Sequence, residues 1–244
     1  MLIFAHRGAS GYQAENTLAA MAKALELGAQ AVELDVHNVE GELVVFHDRR
    51  LDNKSSGSGV IHLVSKDYLA SINVKGEPIP TLWQVLELIA GRSIVNIELK
   101  GINTVTPLID LYPKALSQLG FTQEQLLISS FNHPYLRELK QALPEALVAP
   151  LLASIPLDNA AVVSELNAYS LHLDLSFISQ ALVDDAHNRG AKVYVYTVDH
   201  SDDIHALKQM GVDGVFSNYP DRAMQALAQV ATADYSGYFE LRQP

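Results

Sequence analysis

Short runs of β-branched and aliphatic residues alternate with amphipathic stretches along nearly the whole of this chain, and no other feature restricts the fold so tightly. Apolar runs that recur between helical patterns read as β/α units, whose strands pair in parallel. Eight such runs stand at residues 2–5, 31–36, 94–99, 126–129, 147–152, 170–173, 192–197 and 214–217, with a further strand-like piece at 42–46. Gly41 turns the chain directly from the second run into that extra piece, so the pair reads as a hairpin and eight parallel strands remain. The expectation is an α/β chain folded as a TIM (β/α)8 barrel, which typically needs ~250 residues. With 244 residues available, the chain is expected to form one barrel domain over 1–244.

Helical spacing is clearest at 16–27, where Leu18, Met21, Ala22 and Leu25 recur beside Lys23 and Glu26, and similar patterns cover 81–90, 133–142, 180–189 and 201–210. Gly28, Gly91, Gly120, Gly190 and Gly211 close these segments, as helix C-terminal turns require. Residues 49–79 break the rhythm. They open on the polar stretch 52–59, continue through a short helical pattern at 65–69, and read as a small insertion over the barrel mouth, after the second strand region. The tail at 236–244 shows no clear period.

Apolar residues at 48% supply a substantial core, and charged residues at 18% are ordinary for a soluble protein. With 17 basic against 28 acidic residues the net charge is -11, which disfavours nucleic acid and anionic membrane surfaces as partners, so an anionic substrate has to be recruited by local cations. The absence of cysteine excludes disulfides, thiolate nucleophiles and thiolate metal sites. The chain opens without a basic segment leading into a long apolar run, and no stretch is apolar enough to span a membrane, so cytoplasmic residence is the expectation. Nothing in the pattern specifies an oligomeric state.

Four charged clusters fall at or just after strand ends: His6-Arg7-Gly8, Glu33-Leu34-Asp35, His47-Asp48 and Glu98-Leu99-Lys100. Parallel strands bring their ends to one mouth. Side chains alternate along a strand, so Glu33 and Asp35 share a face, as do Glu98 and Lys100, and inward charges are costly unless they are paired or bind an ion. Glu33, Asp35 and Glu98 together make a hard oxygen site suited to one divalent cation, Mg2+ or Ca2+, and less suited to zinc. Taken singly, each carboxylate is better explained by a salt bridge to Arg7 or Lys100 or by a backbone amide, and only together do the three favour an ion. His6 and His47 are the proton-transfer candidates, because imidazole titrates near neutral pH. His62, His133, His187, His200 and His205 fall in loops or helices and are read as solvated; His37 shares the alternation of Glu33 and Asp35 but precedes the Gly41 turn, and is read as outside the mouth. The Arg7 fork and the Lys100 ammonium suit two oxygens of a phosphate or carboxylate, or else pair with the acids.

These residues resemble the glycerophosphodiester phosphodiesterase family. The likeness rests on His6-Arg7-Gly8 with Glu15-Asn16-Thr17, then Glu33-Leu34-Asp35-Val36, Val45-Phe46-His47-Asp48, Ile79-Pro80-Thr81-Leu82 and Glu98-Leu99-Lys100. Further on come Ser129-Ser130-Phe131, Tyr196-Thr197-Val198-Asp199 and Gly211-Val212-Asp213-Gly214-Val215, so that about residues 1–222 are covered. The resemblance implies hydrolysis of a small-molecule glycerophosphodiester to sn-glycerol 3-phosphate and an alcohol, on a barrel carrying one divalent ion. It implies metal binding by Glu33, Asp35 and Glu98, acid/base work by His6 and His47, phosphate binding by Arg7 and Lys100, and a glycerol pocket lined by Phe131 and Tyr196. The chain departs from the family pattern at two places. Tyr196 stands where tryptophan is common, adding a hydroxyl, and residues 51–56 replace a Leu-Asp-Arg-Thr-Thr continuation. Three other readings compete: a barrel phospholipase acting on lipid head groups, which would need an apolar approach; a catalytically silent phosphodiester-binding barrel, which would lack an acid or base; and an unrelated isomerase or aldolase barrel, which would share the fold alone.

Overall fold

The computed structural model describes residues 1–229 and 233–239; within the tail at 236–244, residues 240–244 lie outside the described part. Eleven strands form in chain order: β1 (Leu2–Ala5), β2 (Ala31–Val39), β3 (Glu42–Val45), β4 (Asn73–Val74), β5 (Glu77–Pro78), β6 (Ile94–Leu99), β7 (Leu126–Ser130), β8 (Leu147–Leu152), β9 (Ser170–Asp174), β10 (Lys192–Tyr196) and β11 (Gly214–Ser217). The helices are α1 (Leu18–Glu26), α2 (Lys66–Ala70), α3 (Leu82–Ile89), α4 (Val105–Gln118), α5 (His133–Ala142), α6 (Ala161–Leu166), α7 (Gln180–Asn188), α8 (Ser201–Gln209) and α9 (Pro220–Ala228).

Eight strands close into a parallel barrel in the order β1-β2-β6-β7-β8-β9-β10-β11, with β11 pairing back onto β1. Helices lie between successive strands, as in a TIM barrel, and β3 is the antiparallel arm of a hairpin on β2. That hairpin is tighter than the sequence suggests. β2 runs three residues beyond 36, to Val39, and Glu40 (φ 50°) with Gly41 (φ 86°) makes a two-residue turn whose two positive φ values match strand twist. Helix starts follow side-chain caps rather than the apolar period: Thr17 accepts from the Ala20 amide to begin α1, and Thr81 forms a reciprocal capping box with Gln84 to begin α3.

Apolar side chains fill two zones around the sheet. One packs β2, β6 and β7 against α1, α3, α4 and α5; the other packs β9 to β11 against α7, α8 and α9. Inside the barrel, Phe4, Ala31, Leu127, Ala149, Tyr194 and Phe216 form a separate plug, with the Phe4 and Phe216 rings stacked at 4.6 Å between centroids. Each large ring buried there contributes ~1.5–3 kcal/mol. The plug fills the lower barrel, and the buried carboxylates Glu33, Asp35 and Glu98 gather above it toward the C-terminal strand ends.

Residues 49–79 are not a loose excursion. Leu51, Ile61, Leu69, Ile72 and Val74 pack with Ala14, Val39, Val44 and Phe46 into a third apolar cluster, so the insertion is anchored beside the hairpin and at the mouth. The polarity of 52–59 hid this, because the anchoring residues flank that stretch. Among the described residues no helix is long and apolar enough to cross a membrane.

Candidate active site

The loop after β1 is shaped by one sterically demanding turn. Arg7 takes a left-handed conformation (φ 55°), held by its own amide donating to Glu33 Oε2 at 2.8 Å and by the Asn16 amide donating to its carbonyl at 3.0 Å. Gly8 follows at φ 78°, and a Cβ there would lie 2.6 Å from the Ala20 carbonyl carbon, so only glycine lets α1 pack onto this loop. The consequence is positional: Arg7 points over the barrel beside β2.

From β2, Glu33 and Asp35 face inward, and from β6 Glu98 joins them. All three are buried, at 3%, 1% and 8% exposure, and can each offer an oxygen within 4.8 Å of the others. Two cations oppose three carboxylates: Arg7 Nε lies 3.4 Å from Asp35, and Lys100 Nζ lies 2.9 Å from Glu98 and 3.9 Å from Asp35. The salt bridges read as an alternative from sequence are thus present, yet one negative charge is left over. Glu98 Oε1 makes its close approach to Lys100 without an aligned hydrogen bond and has no other partner among the described residues. Burial, then repulsion from Asp35, raises Glu98 from 4.5 to about 7, and burial with Asp35 and Glu98 holds Glu33 well above the usual range. Burial opposes protonation of Lys100, but Glu98 and Asp35 outweigh it and raise its pKa. A buried oxygen-only cluster with surplus negative charge has the donor chemistry of a divalent-cation site.

The two histidines are oriented by different means. His6 Nδ1 lies 2.9 Å from Asn218 Oδ1, and Asn218 is itself fixed, its backbone amide and Nδ2 donating to Asp199 at 2.8 and 2.7 Å. Because Nδ2 faces Asp199, Oδ1 must face His6, which places the proton on Nδ1 and leaves Nε2 as an acceptor 3.9 Å from Glu33. Burial, with Arg7 adding to it, lowers His6 from 6.5 to about 4. His47 stands just past β3, its Nδ1 2.6 Å from Asp48 Oδ1, and burial lowers its pKa as well. His37 does not line the cavity, but its Nε2 lies 3.1 Å from the His47 carbonyl oxygen, and Gly101 leaves room for its ring.

A cavity of about 210 Å3 gathers these groups. Its walls include His6, Arg7, Glu33, His47, Glu98 and Lys100, and also Phe131 and Tyr196. Asp35 is the one sequence candidate behind the wall. Phe131 and Tyr196 meet edge to face at 6.1 Å, and Lys100 Nζ sits 5.6 Å from the Phe131 centroid. The Tyr196 hydroxyl donates to the Leu152 carbonyl at 3.0 Å, so the group that distinguishes it from tryptophan is spent on the barrel wall. A wider groove of about 810 Å3 lies on the outer surface beside Trp83, Asp110 and Lys114, without such a convergence of buried charge.

Sequence reasoning gave no role to Asn16, Asn96, His172, Asp199 or Asn218. Asn16 donates to Asp35 at 2.9 Å. Asn96 shares the alternation of Glu98 and Lys100, a signal that was available; Asn218 lies 212 residues from His6 and had none.

Comparison with known proteins follows the same geometry. The model of the glycerophosphoryl diester phosphodiesterase family matches residues 6–222. A glycerophosphodiester phosphodiesterase of Caldanaerobacter subterraneus subsp. tengcongensis is 35% identical over 231 residues, covering 90% of this chain and 95% of that protein. One from Bacillus altitudinis is 30% identical, with 91% and 96% covered. Among solved structures, an Oleispira antarctica phosphodiesterase in complex with the product sn-glycerol-3-phosphate superposes with a TM-score of 0.86 at 31% identity, covering 94% of this chain and 97% of that one.

Proposed function

Given that this chain belongs to the glycerophosphoryl diester phosphodiesterase family and is a glycerophosphodiester-hydrolysing enzyme, we propose that it forms sn-glycerol 3-phosphate and a free alcohol by acid/base catalysis from His6 and His47, with one divalent cation, Mg2+ or Ca2+, held by Glu33, Asp35 and Glu98. The observation that carries the reading is the convergence of two buried carboxylates, two cations and two histidines on one cavity at the C-terminal strand ends, with the third carboxylate, Asp35, clustered with the other two just behind the wall. When bound, the cation supplies positive charge against the charge that develops on the phosphodiester.

The chain's own residues divide the remaining work. Arg7 and Lys100 hold phosphate oxygens, giving up part of their pairing with Asp35 and Glu98. His6, with Nδ1 occupied by Asn218, accepts at Nε2 the proton of the attacking oxygen, whether water or a glycerol hydroxyl. A new P–O bond forms as the bond to the departing alcohol breaks, and His47, its Nδ1 braced by Asp48, donates the proton that the alkoxide takes; where a glycerol hydroxyl is the nucleophile, water then attacks the resulting cyclic phosphate and a ring P–O bond breaks to give sn-glycerol 3-phosphate. Phe131 and Tyr196 wall the glycerol side and keep water from it.

The test is release of glycerol 3-phosphate from glycerophosphocholine, glycerophosphoethanolamine and glycerophosphoglycerol by metal-stripped protein and after Mg2+ or Ca2+ is restored. Metal-dependent release is expected and ranks the leaving alcohols. A folded, metal-loaded protein that releases it from none of them removes this reading.

A further inference from the structure

Two polar side chains on the cavity wall take no part in the chemistry above. Asn96 lies on β6, one inward position deeper than Glu98, and is 1% exposed; His172 lies on β9, one inward position deeper than Asp174, and is fully buried. Each keeps one polar atom without a partner. Asn96 Nδ2 donates to Ser129 Oγ at 3.1 Å, but its Oδ1 has no partner among the described residues. His172 Nε2 shares a hydrogen bond with Ser170 Oγ at 3.1 Å, and its Nδ1 is likewise unpartnered. The ring is fixed rather than mobile, packed 5.1 Å from Phe216 and 5.5 Å from Tyr194 between centroids.

Buried polar atoms are seldom left unpaired, because the lost hydration is not repaid. What these two atoms ask of a ligand is specific. Asn96 Oδ1 can only accept, whereas His172 Nδ1 presents either a proton or a lone pair according to its tautomer. Burial lowers His172 from 6.5 to about 3, so the ring is neutral and does not call for an anion. A hydroxyl, which donates and accepts, can answer either atom; an acyl chain answers neither.

We propose that Asn96 and His172 form a hydroxyl-reading subsite in the depth of the cavity, which takes a free hydroxyl of the substrate's glycerol and so selects deacylated glycerophosphodiesters over acylated lipids. The subsite rests on the functional reading given above. It assigns specificity to the deep wall of the cavity, leaving acid/base work to His6 and His47 at the mouth. The same polar depth disfavours a head-group phospholipase, whose acyl chains would strand both atoms.

The experiment is calorimetric binding of sn-glycerol 3-phosphate and of n-propyl phosphate, which lacks both hydroxyls, to the parent and to His172→Gln and His172→Asn. Glutamine places its amide near the Nε2 position and retains Ser170, whereas asparagine places it near Nδ1. Expected are tighter binding of glycerol 3-phosphate than of propyl phosphate by the parent, and a loss of roughly tenfold or more for glycerol 3-phosphate alone in His172→Gln. His172→Asn should retain most of the preference. Equal affinity of the parent for both ligands, or an equal loss for both in His172→Gln, overturns the subsite. If His172→Gln does not fold, Asn96→Leu decides by the same comparison. Because binding is measured without turnover, its failure is distinct from failure to release glycerol 3-phosphate from a diester, which would overturn the catalytic reading instead.

Discussion

The mouth of this barrel has two unlike arcs. From β1, the end of β3, β2 and β6 come His6, Arg7, Glu33, Asp35, His47, Glu98 and Lys100, nearly all of its charge; from the β7 to β11 side come Phe131, Leu151, Tyr196 and Phe216. The charged arc is held by hydrogen bonds that leave few rotamers free, including Arg7 N to Glu33, Asn16 to Asp35 and His47 to Asp48. The aromatic arc is held by ring packing and by one hydroxyl on a backbone carbonyl. The difference shows how one cavity concentrates charge without collapsing. The anchored insertion adds Lys54, 2.5 Å from Glu15, which in turn pairs with Arg7, so the rim of the charged arc is neutralised from outside while its centre stays negative.

Changes to the charged arc should therefore act on chemistry, and changes to the aromatic arc on fit. The largest effect is expected from His47→Ala: turnover falls roughly 10²–10⁴-fold while KM changes little, and steady-state kinetics that retain turnover remove His47 from the acid/base pair. Next comes Glu98→Gln. In metal-free protein, Glu98 at about 7 instead of 4.5 means that the folded state holds the extra proton between those values, so this group lowers stability as pH rises. His6, at about 4 instead of 6.5, acts the other way, since the unfolded chain holds the proton and stability rises through its window. The two offset one another in the parent. Glu98→Gln removes the first and relieves Glu33 of part of its repulsion, so urea unfolding in chelator should show the variant gaining on the parent as pH rises from 5 to 7. A pH-independent difference would mean that Glu98 is already ionised at pH 5. The same variant should need more metal for activity.

A smaller effect is expected from Asn218→Ala, which frees the His6 tautomer. Turnover should fall roughly 10–100-fold, the scale seen when a partner that orients a functional histidine is lost. The pH–rate profile separates this from mere loss of packing, because the limb assigned to His6 should move. The smallest is Tyr196→Phe on the aromatic arc. It deletes only the bond to the Leu152 carbonyl, so thermal unfolding should register ~1 kcal/mol or less while KM for the glycerophosphodiester stays within error. A large KM change there would show that the hydroxyl leaves Leu152 for substrate, and would blur the division between the arcs.

Much of the charged arc was legible because period-two alternation is a local property. Glu33 and Asp35, or Glu98 and Lys100, must share a face of any strand they occupy, and parallel pairing sends that face to the same end of the barrel. The hairpin at Gly41 and the capped starts of α1 and α3 were equally local, although the caps moved the boundaries by a residue or two. The anchoring of the insertion was not legible for the opposite reason: the apolar anchors on either side of residues 52–59 matter only once Val39, Val44 and Phe46 are brought against them. His172 went unassigned because a histidine in an apolar run signals neither ligand nor core until the opposite wall is known.

The chain's own periodicities, two along strands and 3.6 along helices, determined the eight strands, the inward faces and the residues able to carry chemistry. Closure decided the rest. Only when β11 pairs with β1 does Asn218 reach His6 and set its tautomer, only when the insertion docks does Lys54 meet Glu15, and only across the closed barrel do Asn96 and His172 border one cavity. These contacts join residues far apart in sequence, and their geometry depends on strand tilt and stagger around the whole barrel, which no local pattern encodes.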